Sequence, residues 1–352
     1  VSCLLKLLLR LDRNKTPLSI DIETRTKHIA CLGISWNDTS AICIPFMCVE
    51  RDSGYWSAEE ESIILNLLSK ILTHPNLILI GQNFLFDAQY IWHYWLIRCT
   101  ISHDTLIAQH LLYPGTELNL VMLSSIYNMY HRYWKDDSKF MDAGKNEDVL
   151  WTYNCRDCVV TWEVYEGQLE LITQFNLQEQ WGFQVEQQDC ILTMMIRGVR
   201  IDKETKWLMS AELLSVREDY ITRLNELLPA EFYPPRPKVS PWYTSHQQMT
   251  EIFTVMFGLK KFWNKAKRKF TMDDAALAHY GEVEPILTDL CTTLQQFRSL
   301  STFRTFTDMP LSEDDRMRSS FSPTAETFRW KSSANVFGTG GNLQNLPTGQ
   351  EQ

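Results

Sequence analysis

The stretch LSIDIET (18–24) sets Leu18, Ile20 and Ile22 in alternation with Ser19, Asp21 and Glu23. A period of two is that of a β-strand, so the apolar residues share one face and both carboxylates the other. Two like charges side by side on a strand repel, and burying either one is costly without a partner. A chain built around this strand has to cover its apolar face and offer its acidic face compensating positive charge.

Further strand-like runs follow at IACLGISW (29–36) and SAICIPF (40–46), joined by the short turn NDT, and another at NLILIGQN (76–83). Between them SAEEESIILNLLSKIL (57–72) has helical spacing, with Ser57 as N-cap and Glu60 completing a capping box. After residue 83 the pattern is helical over 84–96, 104–112, 118–130 and 147–175. Strands first and helices alternating later indicate an α/β domain, placed at 1–176. Residues 177–352 read as a mainly helical second domain, with helices at about 245–258 and 281–305. They are interrupted by the connector LPAEFYPPRPKVSPW (228–242) with its five prolines.

Net charge is −9, which taken alone argues against a nucleic-acid binder, but the charge is uneven. Residues 1–180 carry 14 Lys/Arg against 22 Asp/Glu, and residues 181–352 carry 20 against 21. KKFWNKAKRK (260–269) holds Lys260, Lys261, Lys265, Lys267, Arg268 and Lys269 interleaved with Phe262 and Trp263. Such a run suits phosphate contacts, and equally a solvated charged loop. The nine cysteines show no disulfide spacing, as expected in a reducing compartment. No run reaches the ~20 apolar residues of a membrane span. The first residue is Val rather than Met, as expected of a fragment or processed product.

Asp21 and Glu23 have candidate partners. Asp87 in GQNFLFDAQY (81–90) follows a strand, where functional groups gather in α/β sheets. Tyr153 and Asp157 in WTYNCRDCVVTWEVY (151–165) are four apart on an expected helix and share one side of it. Four carboxylates and a tyrosine, with no Cys or His in the set, make a hard oxygen donor group suited to Mg²⁺ or Mn²⁺. Each residue taken singly has an ordinary structural explanation. CRDC (155–158) has the spacing of a redox or zinc pair, but no second pair exists and Asp157 lies inside it, so Cys155 and Cys158 are expected to pack.

DIET, NFLFD and YNCRD, in this order and 66 and 70 residues apart by their acids, resemble the three motifs of the DEDD 3′–5′ exonucleases. Tyr153 marks the tyrosine subclass. The resemblance implies a ribonuclease H-like fold with a mixed sheet and hydrolysis assisted by two divalent metal ions. It assigns Asp21, Glu23, Asp87 and Asp157 as metal ligands, and Tyr153 as the group orienting the attacking water. It further implies that Thr24, Asn83 and Phe86 contact nucleic acid and that Asp104, in HDTLIAQHLLYP (103–114), is structural.

VEQQDCILTMMIRGVRIDKET (185–205) resembles the segment after the exonuclease domain of family A DNA polymerases. Glu186, Met195, Gly198 and Asp202 match, and Ile196 replaces the usual glutamate. TSHQQMTEIFTVMFGL (244–259) resembles the entry to the thumb, through Ser245 and Gln248. TFRWKSSANVFGTGGNLQNLP (327–347) is similar to the stretch that leads into the palm, in the form common among phage enzymes. It implies that Arg329, Gln344 and Asn345 contact primer–template, with Phe328 standing where glycine is usual. No palm acid motif follows before Gln352, so polymerisation is not expected from this chain alone. The implied protein is the amino-terminal part of a bacterial or phage-type family A polymerase: a proofreading exonuclease followed by thumb and the start of the palm. It acts in replication in the cytoplasm of a bacterial or phage-infected cell, with DNA, the rest of a polymerase or a processivity factor as partners. The alternatives are an RNA-trimming exonuclease of the ribonuclease D type and a non-catalytic primer–template binder.

Overall fold

The computed structural model describes residues 1–49, 51, 54–128, 134–135, 147–233 and 240–346. The last two residues of the helix expected over 118–130, Pro234, Pro235 and Pro237 of the connector, and Pro347 lie outside them. The chain forms two compact units, Val1–Val199 with Arg316–Gln344, and Arg200–Asp315 with Asn345–Gln352. The boundary expected at 176/177 falls inside the first of these.

Unit 1 is built on a five-stranded mixed sheet. Helix α1 (Ser2–Leu11) leads into β1 (Thr16–Arg25), β2 (His28–Ser35) and β3 (Ala41–Pro45), an antiparallel meander. Helix α2 (Ala58–Leu72) then crosses over to β4 (Leu77–Gly81), parallel to β1. After α3 (Leu85–Trp95) comes the two-residue β5 (His103–Asp104), parallel to β4, giving the order β3-β2-β1-β4-β5. Helices α4 (Thr105–Leu112), α5 (Leu120–Tyr127), α6 (Glu147–Gln174) and α7 (Gln178–Arg197) follow. This is the ribonuclease H-like α/β arrangement implied by the motifs. The capping box at Ser57 and Glu60 is present as expected.

The alternation in β1 decides which side of the sheet holds the core. Leu18, Ile20 and Ile22 are buried with Leu4, Leu7 and Leu11 of α1 and Leu67, Leu68 and Ile71 of α2. Asp21 and Glu23 point to the opposite face, which α6 spans across β1, β2 and β3. The close approach of α6 requires Gly33, the partner of Asp21 across the β1–β2 ladder. A Cβ at Gly33 would lie 2.4 Å from the Asn154 side-chain oxygen and 2.7 Å from the Cys158 sulfur. Cys158 is fully buried there, and all nine cysteines are free thiols.

The segment after the second unit returns to complete unit 1. Ser319–Ser322 and Lys331–Ala334 form an antiparallel ribbon, and Phe337 stacks on His93 (ring centroids 4.2 Å apart) and packs on Tyr90 (4.9 Å), both on α3.

Unit 2 contains α8 (Lys203–Leu227), α9 (His246–Glu251), α10 (Asp274–Val283) and α11 (Thr288–Thr307). Its core joins Leu224 of α8, Met249 of α9, Tyr280 of α10 and Leu294 and Phe297 of α11. Asp202 caps α8 and Ser245 caps α9. The helix expected over 281–305 is instead two helices. Glu284 precedes Pro285 and is pushed out of helical geometry (φ −130°, ψ 92°), which separates α10 from α11. The helix expected over 245–258 becomes a wider π turn after Glu251. Among the described residues no helix is long and apolar enough to cross a membrane.

Gly33→Ala forces Asn154 and Cys158 off the sheet, so it should cost about 1–3 kcal/mol of stability. Thermal denaturation checks this: a melting temperature lowered by several degrees is expected, and one within about 1 °C of wild type refutes the tight α6–sheet contact.

Candidate metal centre

Asp21 and Glu23 leave β1 on the face beneath α6, and Asp157 reaches down to them from that helix. One carboxylate oxygen from each of the three lies within 4.8 Å of the others. A β-bulge between Glu23 and Thr24 shifts the ladder at this point, re-aiming the end of the strand. The Asn154 amide donates to Asp21 Oδ2 (2.8 Å) and to the Asp21 carbonyl (3.2 Å), so α6 holds Asp21 as well as supplying Asp157.

Asp87 stands in the first turn of α3, outside this three-residue group. Its Oδ1 accepts the backbone N–H of Ile22 (2.9 Å), which ties the start of α3 to β1 between the two strand acids. It remains near enough for its charge to act on Asp21. Tyr153, one turn before Asp157 on α6, is mostly buried, and its hydroxyl accepts a hydrogen bond from the Lys135 ammonium. The same ammonium lies 2.7 Å from Asp157 Oδ2, and the Trp134 indole N–H donates to Asp157 Oδ1 (2.6 Å).

The electrostatics follow from this crowding. Burial, then the charges of Asp87, Glu23 and Asp157, push the Asp21 carboxyl well above the ordinary carboxylate range. Glu23 rises to about 7, through burial and then Asp157. Burial raises Asp87 and Asp157 as well. Tyr153 is pushed up to about 12, by burial first and Asp157 second. Lys135 lowers Asp21, Glu23 and Asp157, and one ammonium does not neutralise four acids. Buried and half-buried oxygen donors that are short of positive charge fit a hard divalent cation. Asp21, Glu23 and Asp157 are the residues placed to hold it, with Asp87 adjoining.

The sequence model of the 3′–5′ exonuclease family matches residues 2–171. Residues 2–171 belong to the 3′–5′ exonuclease family of family A DNA polymerases. No curated protein matches the chain. Among solved structures, the chain is similar to one described as the POL domain of Pol1 from M. smegmatis in complex with DNA primer-template and dNTP. The TM-score is 0.68 at 17% identity, over 99% of this chain and 55% of that one. The chain thus spans about half the length of that structure, and at such identity the likeness is one of fold.

The other expected residues of the exonuclease domain surround the acids. Thr24, just past the bulge, lies near the Tyr90 hydroxyl, whose pKa burial raises and Thr24 partly lowers. Asn83 sits at φ +54°, held there because Asp104 accepts its backbone N–H (3.0 Å) and that of Phe84 (2.8 Å). Phe86 is half-buried beside Tyr90, with ring centroids 5.0 Å apart. Arg329, in unit 1, is exposed and lies apart from the acids' hydrogen-bond network. Gln344 and Asn345 are likewise exposed. Phe328 adopts the left-handed backbone (φ +55°) that suits the family's glycine, and its ring packs on His110 (4.5 Å). In unit 2 the basic run forms a hairpin of Trp263–Asn264 and Lys269–Phe270, all six cationic residues being exposed. Lys267 pairs with Asp273 (2.6 Å).

Asn154, Trp134 and Lys135 were missed in the sequence. Asn154 is the residue after Tyr153 in the third motif, and no periodicity separates it from the other polar residues of that helix. Trp134 and Lys135 lie in a stretch without a helical or strand pattern, and only the tertiary fold brings them to α6.

Glu23 supplies a pH test. Its folded pKa of about 7 lies above the ordinary 4.5. The folded chain then keeps a proton the unfolded chain has lost, and stability falls as pH rises from 4.5 through about 7. In EDTA, Glu23→Gln should gain melting temperature relative to wild type between about pH 5 and pH 8, and saturating divalent cation should shrink the gain. Parallel melting-temperature profiles for the two proteins in EDTA would contradict the half-buried, proton-holding Glu23.

Proposed function

We propose that the chain removes nucleotides from the 3′ ends of DNA by divalent-metal-assisted hydrolysis, as the proofreading part of a family A DNA polymerase acting in replication. The observation that carries this reading is the convergence of Asp21, Glu23 and Asp157 beside Tyr153 within an exonuclease-family domain. Two Mg²⁺ or Mn²⁺ ions bound by Asp21, Glu23, Asp87 and Asp157 would supply water activation and charge neutralisation at the scissile phosphate.

The chain's own residues then have separable tasks. Asp21 faces both Glu23 and Asp157, the position of a shared ligand. Asp87, fixed on the Ile22 amide, keeps α3 at the edge of the centre. The Tyr153 hydroxyl holds its proton up to about pH 12, so it orients the attacking water by hydrogen bonding and does not act as its base. Thr24, backed by the buried Tyr90 ring, offers a hydroxyl, and half-buried Phe86 a ring, to a terminal nucleotide; Asn83 is exposed just before α3.

The solved structure of similar fold was obtained with DNA primer-template and dNTP, which favours DNA over RNA as the substrate. On this reading residues 177–352 are thumb and early palm. Exposed Arg329, Gln344 and Asn345, with the Lys260–Lys269 hairpin, would meet primer–template, and Trp263 and Phe270 on that hairpin are 49% and 57% exposed. The rest of a polymerase and a processivity factor are the partners this reading implies.

The double variant Asp21→Ala/Asp157→Ala should leave no Mg²⁺-dependent digestion of a 3′-labelled single-stranded DNA; persisting digestion would overturn the proposal. Tyr153→Phe should lower the single-turnover rate by about 10²-fold with DNA affinity retained. An RNA oligonucleotide digested faster than DNA of the same sequence would favour the RNA-trimming alternative.

A further inference from the structure

The candidate centre already contains a cation. The Lys135 ammonium sits between Asp157 Oδ2 (2.7 Å) and the Tyr153 hydroxyl, and lies 4.5 Å from the centre of the Tyr153 ring. Trp134, beside it in the chain and buried, donates its indole N–H to Asp157 Oδ1 (2.6 Å). Both oxygens of Asp157 are therefore taken by two consecutive residues, while Asp157 also stands in the three-acid group with Asp21 and Glu23. The ammonium makes the contacts of a metal ion in miniature: a direct bond to a carboxylate oxygen, a phenol oxygen beside it, and attraction to the neighbouring acids.

A metal bound at this group needs an Asp157 oxygen. To reach Oδ2 it must take the place of the Lys135 ammonium, and two positive charges at one oxygen repel. We propose that Lys135 is a resident cation of the metal centre, which holds Asp157 and Tyr153 in place without metal and competes with divalent metal for Asp157. This rests on the metal-dependent reading of the site and adds to it a residue that sets how much metal the site requires. Lys135 is a positioning residue in this role. Its effect has a distinctive sign, because removing a merely structural lysine weakens metal binding by loosening the site, whereas removing a competitor strengthens it.

The test is Mn²⁺ binding to the full chain, freed of metal with EDTA and dialysed, by isothermal titration calorimetry. Lys135→Met should bind Mn²⁺ about tenfold more tightly than wild type, and its metal-free form should melt at a lower temperature. Lys135→Arg, which keeps the charge, should retain wild-type affinity to within about threefold. Unchanged or weaker Mn²⁺ binding by Lys135→Met would overturn the competition. Should that variant not fold, reductive methylation of wild type read by mass spectrometry replaces it. Lys135 labelling should rise on adding Mg²⁺, and constant or falling labelling would overturn the proposal equally. A wild type with no saturable Mn²⁺ binding at all would remove the metal reading itself, an outcome distinct from equal affinities in wild type and variant.

Discussion

Charge repulsion among four carboxylates, brought together from β1, α3 and α6, is the constraint around which the first unit is arranged. The apolar face of β1 joins a core with α1 and α2, which fixes the opposite face as the one α6 must cover. That arrangement turns Asp21 and Glu23 toward Asp157, where burial and mutual repulsion work against all three. The surrounding contacts hold them against that repulsion. Asn154 grips Asp21, the Ile22 amide holds Asp87, and Trp134 and Lys135 hold Asp157. Gly33 is the steric condition for the set, since any side chain there would push Asn154 away from Asp21.

The returning segment 316–344 shows the same economy of space. Gly340 has φ +105° and no room for a Cβ, which would sit 2.0 Å from the Arg318 carbonyl oxygen. Asn335 accepts the backbone N–H groups of Phe337 and Thr339, closing a turn that sets Phe337 against His93 and Tyr90. A stretch rich in Gly and Asn is thus ordered by packing on α3, the helix that carries Asp87. Phe328 accepts left-handed backbone where glycine would be unstrained, and its packing on His110 offsets part of that cost.

How much of this was legible depended on whether a feature was local. The strand at 18–24 and the capping box at Ser57 and Glu60 follow from spacing within a few residues, and those elements formed where expected. The break at Pro285 was also local, and the helix expected through it overrode a residue that cannot continue one. The return of 316–344 to the first unit was not legible, because its determinants include ring contacts between residues more than two hundred positions apart. Lys135 was hidden for the same reason: a lysine's value as a counter-ion depends on which carboxylate it meets.

Asp104 shows why the acid count alone does not define a centre. It is as buried as any acid in the domain, and burial raises it to about 6. Yet its carboxylate accepts backbone N–H groups from Asn83, Phe84, Leu106 and Ile107, capping α4 and fixing the turn before α3. Four donors satisfy a carboxylate's oxygens without a counter-ion. Glu23, by contrast, has no side-chain hydrogen-bond donor among the described residues, and Asp21 has only the Asn154 amide. Three acids of one domain are thereby sorted by what meets their oxygens. Asp104 is satisfied by the backbone and builds the frame, whereas Asp21 and Glu23 remain short of donors, the condition under which a cation gains most by binding.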